Sequence, residues 1–211
     1  MGLFFDMLFP PRTDEIALRD ISLDEFLSLL APRLVSTTNP GTTALFPFSN
    51  LHVRSSIHEA KYHGSSYAFT LLAQALAEYL RDGDGTWHWD SHVCIVPIPL
   101  GEARRKERGF NQVEEVVART IAMLDEEMPN TFTLTADLLI RIHETVSQVS
   151  LPREKRWENM RGAFGTTHTA DPTCIYIIID DVLTTGSTLQ AAIDALQKAG
   201  ATHICPIALA H

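Results

Sequence analysis

Two adjacent carboxylates followed by a loop of hydroxyl-bearing residues are the part of this chain best suited to chemistry. The apolar, β-branched run 177–179 leads into Asp180 and Asp181, and the loop 184–188 comes directly before an amphipathic helix. This order predicts acids at the carboxyl end of a buried strand and loop N–H groups at a helix N-terminus, where an anion is favoured. Carboxylates beside a phosphate cradle suit a ligand with vicinal hydroxyls and a phosphate, such as a phosphorylated ribose.

The composition of the loop narrows the kind of ligand. It offers main-chain N–H donors and four hydroxyl groups, and Gly186 permits a close approach that a side chain would block. No lysine follows this glycine, so the loop is not the P-loop of nucleoside triphosphatases, and without a G-x-G-x-x-G pattern dinucleotide binding is disfavoured. Side chains alternate along a strand, so Asp180 and Asp181 are expected to meet one ligand only if the strand breaks there. The alternative is an Asp-Asp turn whose threonines only cap the helix.

Basic residues are concentrated in two clusters although the chain as a whole is acidic. The net charge is −9, which argues against a broad nucleic-acid-binding face. Nearly half of the 17 Lys and Arg residues fall in two short stretches, which are Arg104, Arg105, Lys106 and Arg108, then Arg153, Lys155, Arg156 and Arg161. Two interpretations stay open, because such clusters form either solvated loop faces or cationic walls around a polyanionic ligand.

Length and composition indicate a globular protein with one core, or a core and a small cap. The chain has 211 residues, 45% of them hydrophobic, and three separated cysteines that suit core positions in a reducing compartment. The apolar segment 1–11 lacks a basic region and contains Asp6 and two prolines. We therefore expect it to form a hydrophobic plug rather than a signal peptide or membrane span. The expectation is a cytoplasmic protein without a membrane span.

Alternating strand and helix patterns predict an α/β fold. We expect an N-terminal extension or cap over 1–50, with a capping box at Ser22 and Glu25, and a second domain over 51–211. A short strand is expected at 51–57. Four stronger strands, numbered 1 to 4 in chain order, are predicted at 93–98, 137–142, 174–180 and 203–210.

These strands predict a parallel sheet wound with helices on both faces, in the spatial order 2-1-3-4. The order places strand 4 at an edge, where Pro206 is tolerated. It also opens a crevice between the carboxyl ends of strands 1 and 3, the place where such sheets bind ligands. The segments 97–108 and 180–188 then face each other across the crevice.

The segment 180–188 resembles the phosphoribosyl-pyrophosphate (PRPP) loop of type I phosphoribosyltransferases. The resemblance implies their Rossmann-like sheet, and it implies that Asp180 and Asp181 hold the ribose hydroxyls of PRPP as catalytic residues. It implies a 5′-phosphate site formed by Thr184, Thr185, Gly186, Ser187 and Thr188. It further implies a pyrophosphate site after strand 1, with Arg108 as a catalytic residue, formed by Pro99, Leu100, Arg108 and Gly109.

Further motifs are similar to the ComF/GntX (competence protein F) branch of that superfamily. They are Val96-Pro97-Ile98-Pro99-Leu100, Glu107-Arg108-Gly109-Phe110-Asn111-Gln112 and Lys61-Tyr62-His63-Gly64. The opening 8–12 also resembles that branch, whose members commonly continue into a four-cysteine zinc module. Here Thr13 and Asp14 follow instead and no Cys-x-x-Cys occurs, so a structural zinc site is not expected.

The resemblance also implies a reaction. In the family a nitrogen nucleophile displaces pyrophosphate from PRPP, and Mg²⁺ is held mainly by PRPP, here with Asp180 or Asp181 as its protein contact. The segment 143–162 corresponds to a mobile lid, whose cations would be Arg153, Lys155 and Arg156. Enzymes for 6-oxopurines carry an aspartate where Thr184 stands, so hypoxanthine and guanine are disfavoured.

The partners implied are PRPP and an unidentified base or amine acceptor, and a homodimer would be common for such enzymes. Two other functions stay open. One is a PRPP or nucleotide sensor that has lost turnover. The other is a partner of the DNA-uptake machinery, because the ComF branch is linked to competence.

Overall fold

The structure is a computed structural model that describes residues 12–83, 92–142, 157 and 160–211. The helices are α1 (Thr13–Arg19), α2 (Leu23–Leu27), α3 (Leu51–His63), α4 (Ser66–Asp82), α5 (Glu102–Arg108), α6 (Gln112–Leu124) and α7 (Ser187–Lys198). The strands are β1 (Arg33–Val35), β2 (Thr42–Phe46), β3 (Val93–Pro97), β4 (Phe132–Leu134), β5 (Leu139–Arg141), β6 (Phe164–Thr166), β7 (Ile175–Val182) and β8 (His203–Ala210). The plug predicted at 1–11 lies outside the described residues. Within the described ranges, no helix has both the length and the apolar character needed to cross a membrane.

Six strands form one sheet in the order β1-β2-β8-β7-β3-β4. All neighbouring strands pair in parallel except β1 and β2, which are antiparallel. Strand β7 lies inside the sheet, and its run 176–179 is buried, which is typical of an interior parallel strand. The predicted α/β class, a largely parallel sheet flanked by helices, is therefore confirmed.

The strand predicted at 137–142 does not join this sheet. Residues 139–141 form β5, which pairs antiparallel with β6 in a separate two-stranded ribbon. Its predicted place next to β3 is taken by β4. The order 2-1-3-4 is thus right for β3, β7 and β8 and wrong for the remaining strand. Strand β4 has only three residues, too few to show an alternating pattern in the sequence.

Strand β8 is an interior strand, so the prediction that it lies at the edge is wrong. Strand β2 pairs with it in parallel, beginning at Thr43 and Ile207. Pro206 lies one residue before this pairing begins, and on its other side it is in register with Ile178 of β7. Proline has no N–H donor and is tolerated in a strand where one side is unpaired.

The domain division stays a prediction, although 33–46 contributes both β1 and β2 to the sheet.

The strand predicted at 51–57 is also wrong, because these residues form the first half of α3. Asn50 is the N-cap of this helix, and its side chain accepts hydrogen bonds from the N–H groups of His52 and Val53. Val53 and Ile57 are four residues apart and are both buried. This is the spacing of a helix face rather than of a strand.

The two faces of the sheet have separate hydrophobic cores. One core packs α3, α4 and α6 against the odd-numbered side chains of β7. The other packs α7 and the β5–β6 ribbon against the even-numbered side chains. Because side chains alternate along a strand, Asp181 continues the first face and Asp180 the second. Helices on both sides of the sheet therefore reach the carboxyl end of β7.

Candidate functional site

A cavity of about 320 Å³ opens at the carboxyl ends of β3 and β7. It lies where a crevice is predicted, at the point from which the sheet continues to β4 on one side and to β8 on the other. The cavity is large enough for a small ligand. Its charged and polar side chains come from α3, α5, α6, β5, β7 and the start of α7, and they are Lys61, Arg104, Arg108, Gln112, Arg141, Asp180, Asp181, Thr184, Ser187 and Thr188.

The lining is rich in cations although the chain carries a net charge of −9. Its basic side chains are Lys61, Arg104, Arg108 and Arg141. The acidic side chains of the lining are Asp180 and Asp181. A concave wall focuses such positive charge, so the cavity favours a polyanionic ligand.

Asp181 is held by three hydrogen bonds. Its Oδ2 accepts from Nζ of Lys61 at 2.7 Å and from Nε2 of Gln112 at 2.8 Å. Its Oδ1 accepts from the N–H of Val182 at 2.7 Å. Burial alone would raise the pKa of this carboxyl, but the charge of Lys61 and these hydrogen bonds bring the pKa below its ordinary value. Asp181 is therefore a carboxylate at neutral pH.

Asp180 is in a different electrostatic state. Burial raises its pKa to about 7, and the negative charge of Asp181 adds to this effect. The N–H of Asp181, which donates to Oδ1 of Asp180 at 2.8 Å, opposes the rise, as do the charges of Lys61 and Arg141. The pKa values of the two neighbouring acids are thus shifted in opposite directions, upward for Asp180 and downward for Asp181.

Both acids border one cavity even though β7 continues to Val182. A break in the strand is therefore not needed for both acids to border one cavity, and their sharing of one ligand stays a prediction. The cavity lies over the end of the sheet, so that side chains from both faces of β7 reach it.

The loop 184–188 leads from the acids into helix α7. The N-cap is Gly186, which has a φ of 79° and no side chain to cap the helix. Thr185 is buried, and its Oγ1 accepts a hydrogen bond of 3.4 Å from the N–H of Ser187. The first turn of α7 borders the cavity. Because the N-terminus of a helix favours negative charge, this turn is suited to bind an anion.

The back of this loop packs against the loop between β1 and β2. A Cβ atom on Gly186 would lie 2.8 Å from Oγ1 and 2.9 Å from the carbonyl oxygen of Thr37. Close by, the side chain of Gln190 in α7 accepts a hydrogen bond of 2.7 Å from the N–H of Asn39. Segment 36–41, which was not expected to contact the site, therefore supports the loop from behind.

Arg108 reaches the cavity from the last turn of α5. The centre of its guanidinium is 5.1 Å from the ring centroid of Tyr62, within the range of a cation–π contact. It also donates a hydrogen bond of 3.1 Å to Oε1 of Gln112. These two contacts hold the guanidinium beside the acid pair.

Most of the predicted site residues line the cavity, and their roles stay predictions. Those that line it are Pro99, Leu100, Arg108, Asp180, Asp181, Thr184, Gly186, Ser187 and Thr188. Thr185 is buried behind them, and Gly109 is the left-handed C-cap of α5 rather than a lining residue. The predicted lid cations lie outside the described residues; they are Arg153, Lys155 and Arg156.

Lys61, Gln112 and Arg141 line the cavity without having been assigned a role from the sequence. The stretches that carry the family resemblance contain Lys61 and Gln112, and this was the available signal. Their contacts with Asp181 span 120 and 69 positions of the chain, respectively, and depend on the completed fold.

Comparison with known proteins finds relatives that are named for competence or for DNA utilization. The chain is 29% identical over 150 residues to Competence protein F of Haemophilus influenzae, which covers 70% of this chain and 63% of that protein. It is 31% identical over 141 residues to Competence protein ComFC of Bacillus subtilis, which covers 64% of this chain and 52% of that protein. It is 26% identical over 148 residues to the DNA utilization protein YhgH of Salmonella typhimurium, with 70% and 62% covered.

The chain thus spans between about half and less than two thirds of the length of these curated relatives. No family model matches it.

Proposed function

The chain belongs to the competence protein F (ComF) family, and from this premise we propose that it binds Mg-PRPP and transfers the phosphoribosyl group to an unidentified base or amine acceptor. One observation carries the proposal: an acid pair, a helix N-terminus and several basic side chains line a single cavity of about 320 Å³. PRPP has a complementary group for each, namely vicinal hydroxyls, a 5′-phosphate and a pyrophosphate.

In this proposal three parts of the cavity wall each bind a different group of PRPP. Asp180 and Asp181 accept hydrogen bonds from the ribose hydroxyls, and the loop 184–188 binds the 5′-phosphate at the start of α7. Arg108 and the residues after β3 bind the pyrophosphate, with Arg104 as a second cation in the lining. The proposed lid cations would close over the same anion, and they are Arg153, Lys155 and Arg156.

The acid pair also fits Mg²⁺. This ion prefers oxygen ligands and is usually bound through one or two carboxylates together with substrate phosphates. Asp180, whose pKa is about 7 because of burial, would ionise more readily beside a cation. When bound, the ion would help to neutralise the pyrophosphate, and Asp180 or Asp181 would be its protein contact.

The proposed reaction is a substitution at C1 of the ribose. The acceptor nitrogen forms a bond to C1 while the bond from C1 to the pyrophosphate oxygen breaks. Positive charge develops on the sugar and negative charge on the leaving group, so the protein contributes mainly positioning and charge neutralisation. Arg108 is the residue proposed to take up the charge of the departing pyrophosphate.

A pair of variants on one helix tests the pyrophosphate site. Arg108→Gln is expected to weaken Mg-PRPP binding at least about tenfold, because a charge-assisted hydrogen bond contributes roughly 1.5–3 kcal/mol. Arg105→Gln is the matched control, since Arg105 is exposed and does not line the cavity. Calorimetric titration with Mg-PRPP measures the effect, and ribose 5-phosphate, which lacks pyrophosphate, should bind both variants like the parent.

The same titration decides the proposal as a whole. A parent protein that does not bind Mg-PRPP would contradict it, and equal losses in the two variants would contradict the pyrophosphate assignment. Turnover is measured separately as pyrophosphate release from PRPP with a panel of common bases and amines. Saturable binding without release from any acceptor would favour the sensor over the enzyme.

A surface beside the cavity favours a second function, a role in DNA uptake or processing. Helix α5 carries four basic and two acidic residues, and the exposed ring of Tyr62 lies against Arg108. Cations next to an exposed aromatic ring are typical of surfaces that bind single-stranded nucleic acid. Two of the relatives are named for competence and a third is named for DNA utilization.

The second function predicts salt-sensitive binding of single-stranded DNA. We expect Arg105→Glu with Lys106→Glu to weaken binding of a fluorescent oligonucleotide at least about tenfold, because contacts to phosphates dominate such affinities. Each single reversal, Arg105→Glu or Lys106→Glu, is compared with Lys198→Glu, which makes the same change in net charge at the opposite end of α7 from the cavity. Fluorescence anisotropy at two salt concentrations makes the measurement. No binding by the parent at low salt would exclude this function.

A further inference from the structure

Gln112 touches both the acid pair and the basic wall of the cavity, and the proposed function assigns it no role. Its Nε2 donates a hydrogen bond of 2.8 Å to Oδ2 of Asp181, and its Oε1 accepts one of 3.1 Å from Nη1 of Arg108. Only 5% of the residue is exposed. A buried side-chain amide with a partner at each end is held in one place, because breaking either bond leaves a polar group unsatisfied.

The chemistry of the two partners fixes the orientation of this amide. A carboxylate only accepts hydrogen bonds, and a guanidinium only donates them. The NH₂ group of Gln112 therefore has to face Asp181, and its oxygen has to face Arg108. Turning the amide over would place oxygen against oxygen and N–H against N–H. Gln112 thus joins a negative and a positive group through one fixed amide.

Other side chains hold these two partners separately. Tyr62 lies against the guanidinium of Arg108, and Lys61 donates a hydrogen bond to the carboxyl group of Asp181. Each of these contacts is made to one partner, whereas Gln112 makes a contact to both. It thereby links the last turn of α5 to the end of β7.

Helix α6 does not depend on the amide of Gln112 for its position. Its N-cap, Asn111, accepts a hydrogen bond from the N–H of Val113 and donates one of 3.0 Å to the carbonyl oxygen of Ile98, directly after β3. Val113 and Val117 of the same helix are buried in the core. Replacing the amide should therefore leave the helix in place.

We propose that Gln112 is a positioning residue that ties the guanidinium of Arg108 to the carboxylate of Asp181, so that the pyrophosphate and ribose parts of the cavity are held at a fixed separation. The inference deepens the proposed function and rests on it for the identity of the ligand. In PRPP the pyrophosphate is attached to C1, next to the carbon that carries the first of the vicinal hydroxyls. Groups this close in a ligand need protein partners at a matching separation, and holding those partners in advance reduces the ordering needed on binding.

The first test follows the Nε–H group of Arg108 by ¹⁵N NMR relaxation in protein without ligand, with Arg108→Gln to assign the signal. Gln112→Met has nearly the same length and helix propensity but no amide. The order parameter of the Nε–H group should be about 0.85 in the parent, as in a rigid backbone, and fall below about 0.6 in Gln112→Met. An unchanged order parameter would overturn the proposal.

Binding of two fragments of PRPP tests both ends of the link. Gln112→Met should weaken binding of Mg-pyrophosphate, through Arg108, and of ribose 5-phosphate, through Asp181, by roughly threefold each, which is the usual effect of one hydrogen bond. Mg-PRPP should be weakened by the product of these factors, about tenfold. Arg108→Gln, in contrast, should weaken only Mg-pyrophosphate among the fragments. Calorimetric titration makes the measurements, and a loss confined to one fragment in Gln112→Met would contradict the link.

Thr120→Val is the matched control for a general effect on helix α6. The hydroxyl of Thr120 is buried and donates to the carbonyl oxygens of Val116 and Ala73, and none of these three residues lines the cavity. This variant should lose stability in thermal unfolding but keep the order parameter and fragment affinities of the parent. Equal losses of order and affinity in Thr120→Val and Gln112→Met would mean that Gln112 only stabilises the helix, and the proposal would fail.

Gln112→Asn keeps the test decisive if the methionine variant does not fold. Asparagine has the same amide on a side chain one carbon shorter, so it should lose at least one partner, and the fragment on that side should bind roughly threefold more weakly. Parent-like affinity for both fragments, or failure of both variants to fold while Thr120→Val folds, would overturn the proposal. The NMR measurement needs no PRPP, so a parent that fails to bind Mg-PRPP would remove the proposed function and still decide whether Gln112 positions Arg108.

Discussion

Replacing Asp180 by asparagine is expected to make the protein more stable at pH 8 and, at the same time, to weaken its binding of Mg-PRPP. Burial raises the pKa of this carboxyl from 3.8 to about 7. The folded state therefore binds more protons than the unfolded state between these two values. Its free energy of unfolding falls as the pH rises through that window, and the stabilising proton is fully lost above about pH 7. An amide has no charge to bury, so the variant avoids this loss.

We expect Asp180→Asn to raise the free energy of unfolding at pH 8 by at least about 1 kcal/mol, and to change it little at pH 5. Binding of Mg-PRPP should weaken at least about tenfold, because charge-assisted hydrogen bonds contribute roughly 1.5–3 kcal/mol each. Urea unfolding at the two pH values and calorimetric titration measure the two effects. A residue whose removal improves stability and harms binding is one that is retained for function.

Asp181→Asn is the matched control and should behave in the opposite way. The pKa of Asp181 is lowered, so that its carboxylate contributes stability above the ordinary carboxyl pKa and loses it in acid. The asparagine leaves Lys61 without its charged partner, and we expect a loss of about 1.5–3 kcal/mol at neutral pH. If both variants lose stability equally, the different electrostatic states of the two acids are contradicted. If Asp180→Asn binds Mg-PRPP like the parent, its proposed ribose contact is wrong.

The parts of the site that lie within one stretch of chain are those that the sequence predicts best. The acids and the loop 184–188 are contiguous, so the end of a strand and the start of a helix bring them together by local geometry alone. The capping box at Ser22 and Glu25 is equally local, and both of its hydrogen bonds form. The parallel sheet follows from the alternation of strands and helices.

Contacts between distant segments are the parts that the sequence does not predict. Strand β2 has five residues and lies in a segment expected to be a cap, and only its pairing with β8 shows that it belongs to the sheet. Lys61 meets Asp181 because α3 packs on the face of β7 to which odd-numbered side chains point. Neither contact leaves a periodic signal in one sequence, since each depends on how several elements pack.

The contact of segment 36–41 with the back of the loop predicts a large effect at one glycine. Gly186→Ala is expected to lower the free energy of unfolding by about 2–5 kcal/mol. The φ of 79° is unfavourable for any residue with a Cβ, which costs about 1–2 kcal/mol. The new methyl group would also lie within 3 Å of Thr37, including its carbonyl oxygen. Overpacking of this kind costs a further 1–3 kcal/mol or so.

Gly109→Ala separates these two causes. Gly109 has nearly the same φ, 78°, but a Cβ there would meet no atom within 4 Å. The free energy of unfolding of Gly109→Ala should fall only by the conformational cost, about 1–2 kcal/mol, when it is measured by chemical denaturation. Equal losses of unfolding free energy in the two alanine variants would show that Thr37 moves away from the methyl group and does not support the loop. If the support is real, Gly186→Ala should also weaken binding of ribose 5-phosphate, because the methyl group pushes the loop away from 36–41 and moves the N–H groups at the start of α7.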